Sequence, residues 1–155
     1  MSRPSLLTPE IRAWIGRTYR PRKGLVTLRD IAKYCAALDD ANPRFLDPEQ
    51  AVAPPLFHGI VTSNLEPLSR LREDGLPSEN VVPPLPLSRL MAGGLEAEFL
   101  APIRPGDTLT AVTKVADIRE RSGQTGPLIF TVLETTVTNQ RDEVVVIERQ
   151  TLVAR

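Results

Sequence analysis

Residues 27–43, TLRDIAKYCAALDDANP, decide the fold of this chain. Thr27 predicts a helix N-cap, and Asp30 stands where a capping box places its acid. Behind this cap, apolar residues recur at helical spacing and predict one continuous stripe, made of Leu28, Ile31, Ala32, Cys35, Ala36 and Leu38. Asn42 before Pro43 disfavours helical backbone and ends the helix. Because the stripe contains small residues, we expect this helix to lie close against a sheet.

The segments on either side of this helix predict shorter elements. Residues 8–10, Thr-Pro-Glu, supply a cap, a proline and an early acid for a helix that ends near Gly16. Residues 17–26 are expected to be extended. By the same cap-and-proline logic, residues 47–49 predict the start of another short helix, and residues 60–70 look helical again.

The second half of the chain predicts a sheet. A proline-rich stretch at about residues 71–90 is expected to form a covering loop. Beyond it the apolar period changes to two, which predicts long antiparallel strands at about residues 91–103, 107–121, 127–138 and 143–154. The last three strands form a meander. Since a sheet with one apolar face and one striped helix must pack together, we predict a single α+β domain over residues 1–155. Its open edge needs a partner, which predicts an oligomer.

Composition places the chain among globular proteins, with 41% hydrophobic and 25% charged residues. No apolar run approaches the roughly 20 residues of a membrane helix, and the N-terminus lacks a secretory core. A cytoplasmic location is therefore the default expectation. The formal net charge is zero, so nothing global indicates nucleic acid. Cys35, the one cysteine, lies on the apolar stripe and is expected to be a packing residue rather than a nucleophile.

Two motifs give the chain a resemblance to a known family. Residues 37–47, ALDDANPRFLD, resemble the signature of MaoC-like hydratases and dehydratases, in which a helix ends in Gly-Asp-x-Asn-Pro-x-His. Residues 57–61, FHGIV, are similar to the His-Gly-Met segment of that family. Residues 99–107 (FLAPIRPGD) and 148–152 (ERQTL) look closer to its N-terminal, fatty-acid-synthase-like dehydratase branch. The resemblance covers residues 12–155 and implies a hot-dog fold, an antiparallel sheet wrapped around one long central helix.

The resemblance implies a reaction, the reversible addition of water to a 2-enoyl thioester. Within the family an aspartate and a histidine hold the water and a backbone N–H polarises the carbonyl, so no metal or other cofactor is required. Aligning Asp40 with the family aspartate puts Phe45 where the histidine should be. Phenylalanine cannot transfer a proton, so the dyad is expected to be incomplete. The remaining catalytic candidates are Asp40 and His58, the only histidine.

Each candidate has a structural alternative. His58 would equally serve as a packed or exposed structural residue, and Asp40 and Asn42 commonly bond local backbone in turns. The resemblance makes candidate substrate contacts of Asn42, Phe45, Phe57 and Gly59, whose aromatic members would also suit an ordinary core. Eight basic residues and two acidic ones among residues 1–33 indicate either a solvated face or a site for coenzyme phosphates. Candidates for such a site are Arg20 and Arg22.

We therefore expect a subunit of an R-specific enoyl-CoA hydratase or 3-hydroxyacyl dehydratase that is inactive alone. Its role would be to shape the substrate tunnel, while a second MaoC-like hot-dog chain carries the intact Asp/His dyad; a homodimer is the other assembly. Alternative functions are a self-sufficient homomeric hydratase, a hot-dog thioesterase and a non-enzymatic acyl-CoA-binding protein. The ligand would be a thioester of CoA or acyl carrier protein, with neither nucleic acid nor membrane as a partner. The sequence leaves the acyl group open.

Overall fold

The chain folds around a five-stranded antiparallel sheet. The computed structural model describes residues 4–63, 65–73, 75 and 82–155. Its strands are β1 (Arg22–Leu25), β2 (Leu90–Phe99), β3 (Thr108–Gly123), β4 (Gly126–Thr138) and β5 (Val144–Ala154). They lie in the order β1-β3-β4-β5-β2, with antiparallel neighbours throughout. The four predicted strands and the final meander are confirmed, and the segment expected to be extended before the helix contributes β1.

The longest helix of the described residues is α2 (Leu28–Ala37), preceded by α1 (Pro9–Arg12). At its start the Thr27 hydroxyl accepts the Asp30 N–H at 3.0 Å and donates to the Asp30 carboxylate at 2.6 Å. This hydroxyl contact lowers the pKa of Asp30. The predicted N-cap at Thr27 is therefore confirmed. The Asp30 carboxylate accepts from the Thr27 hydroxyl, whereas in a capping box it would accept from the backbone N–H of the N-cap residue.

The buried face of α2 is narrower than predicted. Ile31 and Cys35 are fully buried against the sheet, in a cluster with Leu109. Ala36, inside the helix, and Leu38, just after its last residue Ala37, are both exposed. Burial raises the pKa of the Cys35 thiol, with a smaller contribution from the negative charge of Asp40. The thiol therefore stays protonated, in keeping with a packing role.

One of the predicted short helices is wrong in place. The segment at Asp47 forms a turn, in which the Asp47 carboxylate accepts the Glu49 N–H at 2.8 Å. The helix begins earlier instead, as α3 (Pro43–Leu46). Asn42 caps it by accepting the Arg44 N–H at 3.0 Å. The same Asx-Pro signal occurs at residues 42–43 and again at 47–48, and only the first copy starts a helix.

The other helical predictions are partly right. Helix α1 has the predicted cap, since the Thr8 hydroxyl accepts the Ile11 N–H at 3.4 Å, but it ends at Arg12 and continues as turns to Gly16. Among the described residues of 60–70, only the two ends are helical, in α4 (Phe57–Val61) and in a 3-10 helix at Leu68–Arg70. No helix in the described parts of the chain is long and apolar enough to cross a membrane.

The apolar side chains form two core clusters on the sheet. The first cluster joins α2 and α4 to the sheet and includes Ile31, Phe57 and Leu109. A second cluster includes Ile11 of α1 and inward-facing residues of β3 and β4. Leu85 and Leu87, from the proline-rich stretch, pack against this second cluster. Residues 74 and 76–81 of the predicted covering loop lie outside the described residues.

Candidate functional site

A cavity of about 550 Å³ opens beside the first core cluster. Its walls come from residues 44–45, from residues 52–55 with His58, and from residues 99–104. Backbone hydrogen bonds hold these segments together. The Val52 N–H donates to the Arg44 carbonyl at 3.2 Å, and the Ala53 N–H donates to the Ile103 carbonyl at 2.8 Å. The cavity is therefore built from adjoining backbone segments, and most of its lining is apolar.

His58 is the buried polar side chain of this cavity wall. Only 3% of it is exposed, and its Nε2 lies 3.0 Å from Oε2 of Glu148 on β5. The ring meets Phe99 edge-on, with the ring centroids 6.3 Å apart. Its other nitrogen, Nδ1, is buried and has no hydrogen-bond partner among the described residues. A carboxylate thus orients the imidazole. A buried nitrogen without a partner among the described residues is uncommon and calls for an explanation, such as a bound water, an ion or a catalytic role.

Strained backbone precedes the helix that carries His58. Leu56, the residue before α4, has φ of 65° and ψ of −2°, the left-handed conformation. This conformation costs a non-glycine residue roughly 1–2 kcal/mol, so the surrounding contacts must enforce it. One such contact is the Tyr34 hydroxyl, which donates to the Pro55 carbonyl at 3.3 Å and ties the preceding loop to α2.

Contacts at the other end of α4 fix the helix against β1. The Thr62 hydroxyl donates to the His58 carbonyl at 2.9 Å. The backbone of Gly24 in β1 passes so close to Val61 that a Cβ at Gly24 would collide with the Val61 carbonyl oxygen. Both ends of α4 are therefore held, and the position of His58 depends on these contacts.

Asp40 and Asn42 lie in local turns outside the cavity lining. The Asp40 carboxylate accepts the Asn42 N–H at 3.0 Å, and the Asn42 side chain accepts the N–H of Arg44. Asp39 beside them has a positive φ of 55°. Both polar side chains therefore accept hydrogen bonds from nearby backbone N–H groups, which is what a structural role at these positions predicts.

The cavity brings together two of the residues that the sequence singled out, Phe45 and His58. Phe57 lies fully buried in the first core cluster, edge-on to Tyr34 at a centroid distance of 5.6 Å. It follows the strained residue Leu56, fills the core and is outside the cavity lining. Gly59 is exposed and also outside that lining.

The candidate phosphate ligands Arg20 and Arg22 are not part of the cavity lining either. Arg22 is half-buried, and its Nη2 donates to the Thr113 hydroxyl of β3 at 3.1 Å. Arg20 is exposed.

Sequence reasoning did not single out Glu148, Arg44 and Arg104. Glu148 shares a face of β5 with the buried Val146, so an inward-facing acid in an apolar strand was the available signal. Arg44 and Arg104 line the cavity on either side of the segment at residues 52–53. The two arginines lie in the motifs at residues 37–47 and 99–107, but the sequence around them does not indicate that they line one cavity.

Known proteins resemble this chain in sequence and in fold. The profile of the FAS1-like dehydratase domain region matches residues 13–148. The mesaconyl-C(4)-CoA hydratase of Chloroflexus aurantiacus is 30% identical over 119 residues, which make up 76% of this chain and 41% of that protein. The chain thus spans less than half the length of that curated relative.

Solved structures share the fold at lower sequence identity. The MaoC-like dehydratase from Rhodospirillum rubrum has a TM-score of 0.63 at 21% identity, over 90% of this chain and 91% of that chain. The HadBC (3R-hydroxyacyl-ACP dehydratase) complex from Mycobacterium tuberculosis has a TM-score of 0.66 at 20% identity, over 91% and 97%. Because the family profile matches most of the sequence, the chain belongs to the FAS1-like dehydratase-domain family of MaoC-like hot-dog proteins.

Proposed function

We propose that the chain is a subunit of an R-specific acyl-thioester hydratase or dehydratase. The enzyme would act on 2-enoyl or 3-hydroxyacyl thioesters of CoA or acyl carrier protein. In this proposal the chain shapes the substrate cavity and does not supply the family's Asp/His dyad. The observation that carries the proposal is that Phe45, a side chain without an ionisable proton, lies in the cavity wall. The resemblance in sequence aligns this residue with the family histidine. The hydratase activity of the curated relative supports the reaction class.

The chemistry explains why a second unit is needed. Addition of water to an enoyl thioester requires a base for the water and an acid for the α-carbon. Phe45 can do neither, and the carboxylate of Asp40 accepts a backbone N–H of its own turn outside the cavity lining. A second MaoC-like hot-dog unit with both residues intact would provide the proton transfers. HadBC, one of the structural neighbours, is itself a complex.

The edge strand β2 is the proposed site of that association. Large apolar side chains on it are exposed, among them Leu90, Met91, Leu95 and Phe99. Phe99 also lines the cavity, so a partner at this edge would lie next to the substrate. The proposal keeps the cytoplasmic location that the sequence leads us to expect.

Assay with and without a partner tests this proposal. Proton transfer by a positioned acid or base contributes about 10²–10⁴-fold in rate, so the chain alone should hydrate crotonyl-CoA slowly or not at all. Adding the dyad-bearing chain that copurifies from the native host should give activity. In that complex, Asp40→Asn should change the rate little, whereas loss of the partner's aspartate or histidine should abolish turnover. Phe45→His should give at most weak activity, because no supporting shell is expected around a new histidine.

One observation favours a second candidate, in which the chain transfers protons itself. A carboxylate that holds one imidazole nitrogen and leaves the other without a partner is the arrangement of an oriented general base. His58 and Glu148 have this arrangement in the cavity wall. Brisk hydration by the purified chain, lost in His58→Gln and weakened in Glu148→Gln, would favour this candidate over the heteromeric one.

A further inference from the structure

Every ionisable side chain that lines the cavity is basic. Arg44, Arg104 and His58 are the three, and no acidic residue of the described chain contributes to the lining. The remaining wall is made of apolar side chains and prolines. A cavity of this composition fits a ligand that combines an apolar body with an anionic group.

Hydrogen bonds join the two arginines, directly or through a neighbouring residue, to the same segment at residues 50–53. The carbonyl of Arg44 accepts the Val52 N–H, and the carbonyl of Ile103, next to Arg104, accepts the Ala53 N–H. In addition, Nη1 of Arg104 donates to the Gln50 carbonyl at 3.3 Å. The backbone thus places Arg44 and Arg104, both exposed residues of the cavity lining, on either side of residues 52–53.

Neither guanidinium has a carboxylate partner in the part of the chain that the structure describes. Within the described residues no ion pair involves Arg44 or Arg104, whereas Arg149 bonds Glu134 at 2.8 Å and Arg141 bonds Glu143 at 3.2 Å. A planar guanidinium matches the two oxygens of a carboxylate, and such charge-assisted bonds are about twice as strong as neutral ones. The cavity therefore has unused capacity for an anion beside its apolar wall.

We infer that the cavity selects acyl thioesters whose acyl group carries a free carboxylate, and that Arg44 and Arg104 bind this carboxylate. This inference rests on the proposed function and names its substrate class. An unsubstituted alkyl chain would contact the apolar wall and offer neither guanidinium group an anionic partner. The phosphates of coenzyme A are the other anionic source, and the experiment below separates them from the acyl carboxylate.

Titration calorimetry with two matched ligands tests whether the cavity binds the carboxylate of the acyl group. The two ligands are the CoA half-thioester of fumaric acid and its monomethyl ester, which differ in charge at the far end of the acyl group. The purified chain should bind the free acid about tenfold or more tightly than the ester. Arg44→Gln and Arg104→Gln should each reduce this preference. Arg121→Gln, at the far end of β3 and outside this cavity, is the control and should retain the preference.

Pantetheine thioesters of the same two acids, which lack the coenzyme phosphates, form the second arm. If the arginines bind the acyl carboxylate, the preference and its loss in both variants persist with pantetheine. If Arg44→Gln and Arg104→Gln instead weaken both CoA ligands equally and neither pantetheine ligand, the arginines bind phosphate and the inference is wrong. Equal affinity for acid and ester in the unchanged protein would also overturn it while leaving the proposed function standing. Binding of no thioester at all, in a chain that circular dichroism shows to be folded, would overturn both.

Discussion

Gly24 is a residue at which β1 passes very close to α4, the helix that carries His58. A Cβ there would collide with the carbonyl oxygen of Val61 and lie 2.6 Å from its Cγ1. The first of these is a backbone atom and cannot turn away as the end of a flexible side chain would. Glycine at this position therefore allows β1 to pack on α4, and through α4 it sets the position of His58.

Gly24→Ala should lower the free energy of unfolding by roughly 1–3 kcal/mol, because the new methyl group forces the two backbones apart. Urea denaturation followed by circular dichroism measures the change. The matched control is Gly59→Ala on α4, where a Cβ meets nothing within 4 Å and alanine favours helix. Equal destabilisation by the two substitutions would show that close approach at Gly24 is not the cause.

At the scale of elements, a charged ladder crosses the three strands of the meander. Glu134 of β4 accepts from Lys114 of β3 at 2.7 Å and from Arg149 of β5 at 2.8 Å. These residues are direct cross-strand neighbours in both registers. The Lys114 contact, followed by the Arg149 contact, lowers the pKa of Glu134 below its ordinary value of 4.5. The ladder therefore favours the folded state when Glu134 is ionised.

Glu134→Gln should remove about 1 kcal/mol of stability at pH 7, since each exposed cross-strand pair contributes roughly 0.2–1 kcal/mol. The folded-state pKa lies below the unfolded-state value, so the contribution is complete above pH 4.5 and is lost as pH falls through the folded-state pKa. Denaturation of both proteins from pH 7 to pH 3 should show their stabilities converge at the acid end. Glu66→Gln, an exposed glutamate outside the sheet, should show no such convergence. A gap that stays constant with pH would contradict the ionic explanation.

The sheet could be predicted because its signal is periodic over whole strands. In β3 every second residue from Leu109 to Val115 is buried, with Leu109 in the first core cluster and Val115 in the second, so tertiary packing agrees with the alternation. The short helices could not be placed as well, since the Asx-Pro signal at residues 42–43 and again at 47–48 does not say which copy starts a helix. In the structure the first copy starts the helix, and the second forms a turn.

The site was less predictable than the fold, for a related reason. His58 could be named because it is the only histidine, but its partner Glu148 is 90 residues away along the chain. Only the packing of α4 on the sheet brings the two together. Phe57 was named on its aromatic character, which does not distinguish a cavity wall from the core that it fills.

For the whole molecule, the two edges of the sheet are unequal. β1 is a four-residue edge, whereas β2 presents ten residues along the other. Nine of those ten residues are exposed, and Leu95 is half exposed near the middle of the strand. A long edge with unpaired N–H and C=O groups and apolar side chains favours association with another strand. The short edge at β1 offers much less surface for this.

We therefore predict that the chain assembles through β2, with a dyad-bearing partner or, when purified alone, with a second copy of itself. Light scattering at micromolar concentration should give about twice the formula mass of 17.1 kDa. Leu95→Lys should shift the assembly toward the monomer, because it places a charge in the contact and removes apolar area. Leu65→Lys is the matched control, since Leu65 is 94% exposed and lies outside the sheet, and it should leave the mass unchanged. Phe99 belongs both to this edge and to the cavity, so the Leu95→Lys monomer should also bind acyl thioesters more weakly. A monomeric unchanged protein, or a Leu95→Lys protein that keeps both its mass and its affinity, would show that β2 is not the assembly edge.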